Sequence, residues 1–176
     1  LLPEGSLAPE PGAAAGARWT RTLGRRTLDP AALDALAARL RGVERGLIVA
    51  GPADGTDPDL AAGIVRLAAA TGWPIVADPL SGLRTGPHDR SSVVAHGDLL
   101  VRPGPWRDAH RPELVLRVGA TPTSKPLNTW LAECAPERYV LDGDGGWREP
   151  ALAPASFLHA DPGDRKSTRL NSSHVA

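Results

Sequence analysis

Short apolar runs alternate along this chain with longer stretches of helical spacing, in a regular order. Asp29-Pro30 supplies an N-cap followed by proline at the first helical position. Leu33, Leu36, Ala37 and Leu40 then recur at helical spacing until Gly42. Gly46–Gly51 is a continuous apolar run of the kind found in parallel strands covered on both faces. Asp57-Pro58 opens a second helix, with Leu60, Ile64, Leu67 and Ala68 on one face and Gly72 as its stop. Pro74–Ala77 predicts a second strand, ending at Asp78-Pro79. Asp89–Val101 predicts a helix interrupted by Gly97, and Pro103–Arg111 a turn-rich connection. Leu114–Val118 is a third strand. Leu127, Trp130, Leu131 and Cys134 then form one amphipathic helix face. Arg138–Leu141 is a fourth strand, followed by a glycine-rich loop from Asp142 to Gly146, and Ser156–Ala160 is a fifth.

Strands alternating with helices predict right-handed βαβ crossovers. The fold class is therefore α/β, a Rossmann-like parallel sheet with helices on both faces. Residues 1–27, rich in proline, glycine and alanine without sustained period, read as an interdomain linker, and 28–163 as the domain itself. The run from Asp164 to Ala176 is polar and aperiodic, and resembles one translated frame of a sequencing adapter. It is set aside as an adapter-derived or disordered tail, and the helix expected after the last strand is missing. The chain starts at Leu1 and contains no methionine, which predicts a piece of a longer protein.

Composition changes this picture mainly by exclusion. The 176 residues carry a formal net charge of zero, which argues against a nucleic-acid or membrane-surface partner. One cysteine, Cys134, leaves no internal disulfide and no Cys-based zinc site. No apolar run approaches bilayer-spanning length and no signal peptide is visible, so a cytoplasmic protein is expected.

Candidate chemistry concentrates at the predicted carboxyl ends of the strands, where open α/β sheets bind ligands. Lys125 falls in the first turn of the helix after the third strand, whose positive end disfavours a cation. A lysine placed against that local rule reads either as a grip for an anionic substrate or as a stem swung into water. Asp78 can cap the loop after the second strand, and Arg84 can hold a carboxylate in a fork; the two can equally pair with each other. Gly51-Pro-Ala-Asp-Gly55 occupies the place of a phosphate-cradling turn. It lacks the dinucleotide glycine pattern, and Pro52 removes a donor, so a plain strand-to-helix turn is expected. His88, His96, His110 and His159 show no metal-ligand spacing. Asp142 and Asp144 stand in a loop without the following asparagine of a Mg²⁺-diphosphate site, and a turn is expected there too. No nucleophile-base order and no acid/base carboxylate pair stands out, so no catalytic residue is assigned.

Three segments together carry a resemblance: Gly72–Arg84 (GWPIVADPLSGLR), Leu114–Leu127 (LVLRVGATPTSKPL) with Trp130 and Leu131, and Arg138–Asp142 (RYVLD). They resemble the central domain of the MenD family, the 2-succinyl-5-enolpyruvyl-6-hydroxy-3-cyclohexene-1-carboxylate synthases, over roughly residues 1–163. The resemblance implies the middle third of a three-domain, thiamine-diphosphate-dependent transferase of menaquinone biosynthesis. That enzyme decarboxylates 2-oxoglutarate and adds the succinyl unit to isochorismate. Thiamine diphosphate and Mg²⁺ would be held by the other two domains, so this chain alone is expected to be inactive. The intact protein would be a homodimer or homotetramer. Lys125 matches the position of the basic residue that the family's central domain contributes to the substrate pocket, and Arg84 and Ser124 are further substrate-binding candidates. Where some members follow the lysine with arginine, this chain has Pro126. The competing readings are an acetolactate-synthase-like central domain holding FAD and a non-catalytic nucleotide-binding module.

Overall fold

The computed structural model describes residues 26–53, 58–142, 149 and 153–160. The expected linker up to residue 25, Asp57, the loop 143–146 with Asp144, and the tail 164–176 lie outside them. Six strands make one parallel sheet: β1 (Gly46–Ala50), β2 (Ile75–Ala77), β3 (Val93–Val94), β4 (Leu114–Val118), β5 (Glu137–Leu141) and β6 (Ser156–Leu158). Their spatial order is β3-β2-β1-β4-β5-β6, with every neighbouring pair parallel. This is the doubly wound order, with its switch between β1 and β4. The expected α/β fold is what the chain adopts.

The two faces of the sheet are built from alternate residues of the same strands. On one face Ile48, Ala50, Ile75, Ala77, Leu114, Leu116 and Val118 pack with Leu36, Ala37 and Leu40 of α1 (Pro30–Arg41) and Ile64, Leu67 and Ala68 of α2 (Pro58–Thr71). On the other, Leu47, Val49 and Val115 pack with Leu127, Trp130 and Leu131 of α5 (Lys125–Cys134). This double burial is why the strands read as continuous apolar runs and not as alternating ones.

Local signals set the helix ends. Asp29 caps α1, its carboxylate accepting from the Ala32 N–H at 2.9 Å. Gly72 stands at φ +73° after α2, a left-handed conformation that a Cβ would strain. Ser124 caps α5, and Ala135 at φ 47° followed by Pro136 ends it.

One predicted element is wrong. Asp89–Val101 is not a helix: Val93 and Val94 form β3 beside β2, and only α3 (Gly97–Leu100) is helical. The Asp89 side chain takes the Ser91 N–H and Oγ–H, each at 2.9 Å, and so fixes a turn at the expected start of the helix. Two adjacent β-branched valines then favour the sheet edge. Gly97 is no interruption but a point of close approach. A Cβ there would lie 2.7 Å from Val76 Cγ1, so the glycine lets α3 rest on β2. The connection 103–111 contains one short helix, α4 (Pro105–Ala109).

Candidate functional site

The switch between β1 and β4 is where this strand order ordinarily receives a dinucleotide, and here backbone fills it. The Ala120 N–H donates to the Pro52 carbonyl at 3.0 Å. A Cβ on Gly51 would stand 1.7 Å from the Ala120 carbonyl oxygen, and one on Gly119 2.7 Å from that of Pro52. The loop after β1 is thus shut against the loop after β4 at Gly51–Ala53; the rest of the turn expected over Gly51–Gly55 lies outside the described residues. Among the described residues, the backbone leaves no space between Gly51–Pro52 and Gly119–Ala120.

The open space lies one strand over. A cavity of about 190 Å³ sits at the carboxyl end of β2, bounded by Asp78, Arg84, His96, Asp98, Thr123 and Ser124. The loop after β2 supplies the acid and the arginine, α3 and its approach supply His96 and Asp98, and the start of α5 supplies the last two. Whole ligand pockets usually enclose about 300–1,000 Å³, so this is one wall of a site.

Asp78 organises that wall. It is buried, and its carboxylate accepts from the Leu80 N–H at 2.9 Å on Oδ1 and from the Thr123 N–H and Oγ1–H, each at 2.7 Å, on Oδ2. Burial pushes the Asp78 carboxyl up, but these three donors and the nearby Arg84 charge outweigh it and hold it below the ordinary carboxylate range. The sequence leaves Asp78–Arg84 pairing open; among the described residues the two make no direct ion pair. Arg84 instead donates its Nε–H to the Ala77 carbonyl at 2.8 Å, which anchors the guanidinium beside the cavity.

A depressed pKa has a consequence for stability. The unfolded chain protonates Asp78 at a higher pH than the folded one. The contribution is therefore whole above the unfolded value of about 3.9 and is lost as pH falls through the lowered folded value. Urea unfolding of this chain should weaken progressively over that acid window, and Asp78→Asn should flatten the decline. Asp89 and Glu137 are also lowered, by Ser91 and Arg39, so the informative quantity is the difference between parent and variant. Identical acid profiles would show that the site does not prefer the carboxylate.

The sequence-predicted residues fall close together, in different states. Ser124 Oγ accepts the Leu127 N–H at 3.2 Å, so it caps α5 as well as lining the cavity. Lys125, the first residue of α5, is exposed and makes no ion pair with a described residue. Sequence reasoning misses His96 and Asp98 at the cavity, because the segment that carries them reads as helix interior and its sheet-edge turn leaves no periodic signal.

Two other cavities are differently built. One of about 370 Å³ on the sheet face beside α5 holds the buried Arg117 and Arg138, which share Glu149. Arg117 Nη1 donates to Glu149 Oε2 at 3.0 Å, and Arg138 Nη1 stands 3.7 Å from Oε1, so the carboxylate those arginines want is already present. The other, about 290 Å³ at the amino end of the sheet, is mostly apolar and lined by Trp73, Trp106 and Trp130. Among the described residues no cluster of His, Cys, Asp and Glu could hold a metal ion, and no helix is long and apolar enough to cross a membrane.

Comparison with known proteins follows the same lines. The family model described as the middle domain of thiamine pyrophosphate enzymes matches residues 18–174. A 2-succinyl-5-enolpyruvyl-6-hydroxy-3-cyclohexene-1-carboxylate synthase of Bacillus velezensis is 38% identical over 163 residues, covering 92% of this chain and 28% of the relative. Synthases of the same name are 43% identical in Geobacillus kaustophilus (78% of this chain, 24% of the relative) and 49% in Halobacterium salinarum (73% and 21%). The chain thus spans about a quarter of the length of the curated relatives it matches. Among solved structures, a candidate thiamin diphosphate-dependent enzyme from Mycobacterium smegmatis superposes with a TM-score of 0.52 at 23% identity, over 86% of this chain and 30% of that one. That likeness concerns the fold.

Proposed function

Because this chain belongs to the family of thiamine pyrophosphate enzyme middle domains, we propose that it is the central domain of a transferase of the kind its named relatives represent. That enzyme decarboxylates 2-oxoglutarate and adds the succinyl unit to isochorismate. The observation that carries this reading is the shared synthase name of relatives 38–49% identical over most of the chain. The loops after β2 and β4, which hold two of the three quoted motifs, also meet around one cavity that Arg84 lines.

The described residues do not fit thiamine diphosphate or Mg²⁺. The switch-point crevice is closed by backbone; of the two acids at the cavity Asp78 is committed to three protein donors, and Asp98 belongs to no group of side chains that could hold a metal ion among the described residues. When bound elsewhere in the intact enzyme, the cofactor supplies the carbanion chemistry. The domain's own task is to hold substrate carboxylates. Lys125 Nζ, on a flexible stem at the carboxyl edge, donates charge-assisted hydrogen bonds to a carboxylate. Arg84 presents its remaining guanidinium N–H groups to the same cavity, while its Nε–H stays on Ala77. Ser124 contributes the cap that starts α5 at Lys125. With Pro126 after the lysine, no second cation follows it in sequence. A cytoplasmic, homo-oligomeric enzyme completes the proposal.

In the full-length synthase, Lys125→Ala should weaken isochorismate utilisation with little effect on folding. One lost charge-assisted bond of about 1.5–3 kcal/mol corresponds to roughly ten- to a hundredfold in kcat/KM. The exposed side chain makes no ion pair with the described residues, so the melting temperature should stay within a degree or two of the parent's, as is usual for a surface change of below about 0.5 kcal/mol. A normal kcat/KM for isochorismate would remove Lys125 from the site.

A further inference from the structure

The cavity lined by Ser124, the residue before Lys125, is bounded in part by two loops that no strand pairing joins. β2 and β4 flank β1 on opposite sides, so their following loops have only side-chain and loop contacts to hold them in register. The link is Asp78. Its carboxylate takes the Thr123 N–H and Oγ1–H at 2.7 Å each. Its backbone N–H extends the ladder to the Ala50 carbonyl at 2.8 Å, and its own carbonyl accepts from Ser81 N–H and Oγ–H at 3.0 and 2.7 Å. With Leu80 N–H on Oδ1 as well, this side chain is spent on the protein and is poorly placed to serve a substrate.

Thr123 immediately precedes the cap residue Ser124, and Lys125 follows it. The lysine stem is exposed and carries no ion pair to a described residue. Such a stem has four rotatable carbons, so the protein controls where its Cα stands and little else. That Cα position is fixed by the first turn of α5, and the first turn is tied down at Thr123 by Asp78. Resting on the reading of Lys125 as the carboxylate grip, we infer that Asp78 is a positioning residue for the transferase reaction, acting through Thr123 to set where Lys125 starts beside the cavity that Thr123 and Ser124 line. A carboxylate suits this task because it is acceptor-only and can serve three donors at once. The amide of an asparagine would present N–H to N–H on one side or the other. A displacement of about 1 Å at a substrate-holding group can cost on the order of a hundredfold in rate, so a buried carboxylate that never touches substrate can set affinity.

The test uses the full-length synthase and steady-state kinetics with isochorismate. Asp78→Asn should raise KM for isochorismate about tenfold, with a smaller change in kcat. Thr123→Val, which keeps the backbone donor and loses the hydroxyl, should shift KM in the same direction by less, and Thr123→Ser should restore it. In a Lys125→Ala background, where the positioned group is gone, Asp78→Asn should add less than about twofold, since the two residues act as one unit. An equal cost in both backgrounds would overturn the proposal, as would a lower KM in Asp78→Asn, the sign expected if Asp78 merely repelled the substrate. Should Asp78→Asn fail to fold, Thr123→Val and its serine rescue decide the matter, and a Thr123→Val enzyme with unchanged KM would sink it. A raised KM in Lys125→Ala beside an unaffected Asp78→Asn would remove the positioning role alone. A Lys125→Ala enzyme with normal KM would instead remove the grip and, with it, this inference.

Discussion

Trp130→Ala should destabilise the domain by about 3–5 kcal/mol, the usual cost of truncating a buried large aromatic. Trp130 is 5% exposed and packs with Leu47, Val49, Val115, Leu127 and Leu131 on the face of the sheet that α5 covers. Beside α5, that face is covered by α3 and Val101, because α1 and α2 both lie on the other one. Losing the indole therefore detaches the helix that carries Ser124 and Lys125 from its sheet. The indole N–H is buried and finds no acceptor among the described residues. Trp130→Phe should consequently cost much less than Trp130→Ala, since it surrenders area but no hydrogen bond. Trp73→Phe makes the contrast: its Nε1–H donates to the Val43 carbonyl at 3.4 Å, and that acceptor would be orphaned. Urea denaturation of the three variants would check the order. Equal losses for Trp130→Phe and Trp130→Ala would show that the N–H, and not the ring, holds α5 in place.

Gly51→Ala should also be strongly destabilising. The added methyl would stand 1.7 Å from the Ala120 carbonyl oxygen, and a backbone atom cannot swing aside as a side-chain tip can. Overpacking of a well-packed site commonly costs about 1–3 kcal/mol, and more where the backbone must move. The loops after β1 and β4 would have to part, breaking the Ala120–Pro52 hydrogen bond and shifting the approach to α5. A shift in denaturation midpoint at unchanged slope would confirm the cost. Gly42→Ala is the control, because a Cβ there meets nothing closer than 3.7 Å, and it should be nearly neutral by comparison. A mild Gly51→Ala would mean that the crevice is looser than this closure implies.

Much of this architecture is legible in the residues because burial on both faces leaves a strong signal. Gly46–Ala50 and Leu114–Val118 are each buried throughout; the first announces itself as an uninterrupted apolar run, and the second is broken only by Arg117, whose buried charge Glu149 meets. The caps are equally local: Asp29 and Ser124 each bond an N–H three residues on. The segment from Asp89 to Val101 misleads for the opposite reason. Its strand is two residues long and half-buried, and what keeps Val93 and Val94 extended is pairing with Ile75 and Val76, residues the local sequence does not contain. Gly97 has the same character, since only the neighbouring Val76 explains it.

At the site, the cation, the arginine and the cap can be named from their place after strands. The bond from Asp78 to Thr123 cannot, because forty-five positions separate its ends and the intervening β1 hides the proximity of their loops. His96 and Asp98 are lost along with the misleading segment. The resemblance singles out which loop residues to weigh; the folded chain shows which of them are already engaged.

The strand order also shapes how this chain comes to fold. Every pairing in the sheet is parallel, so no two neighbouring strands can be closed by a tight hairpin. During synthesis β1 and β2 can pair once α2 has crossed between them. The other flank of β1 waits until Leu114–Val118 has been made, because Gly46 pairs with Leu114. For that interval a strand buried at every position in the finished fold presents an unpaired edge, a condition that favours sticking to other chains. The cellular yield of this domain should therefore depend on how quickly the ribosome delivers β4, and on chaperone capacity, at least as much as on the stability of the finished fold.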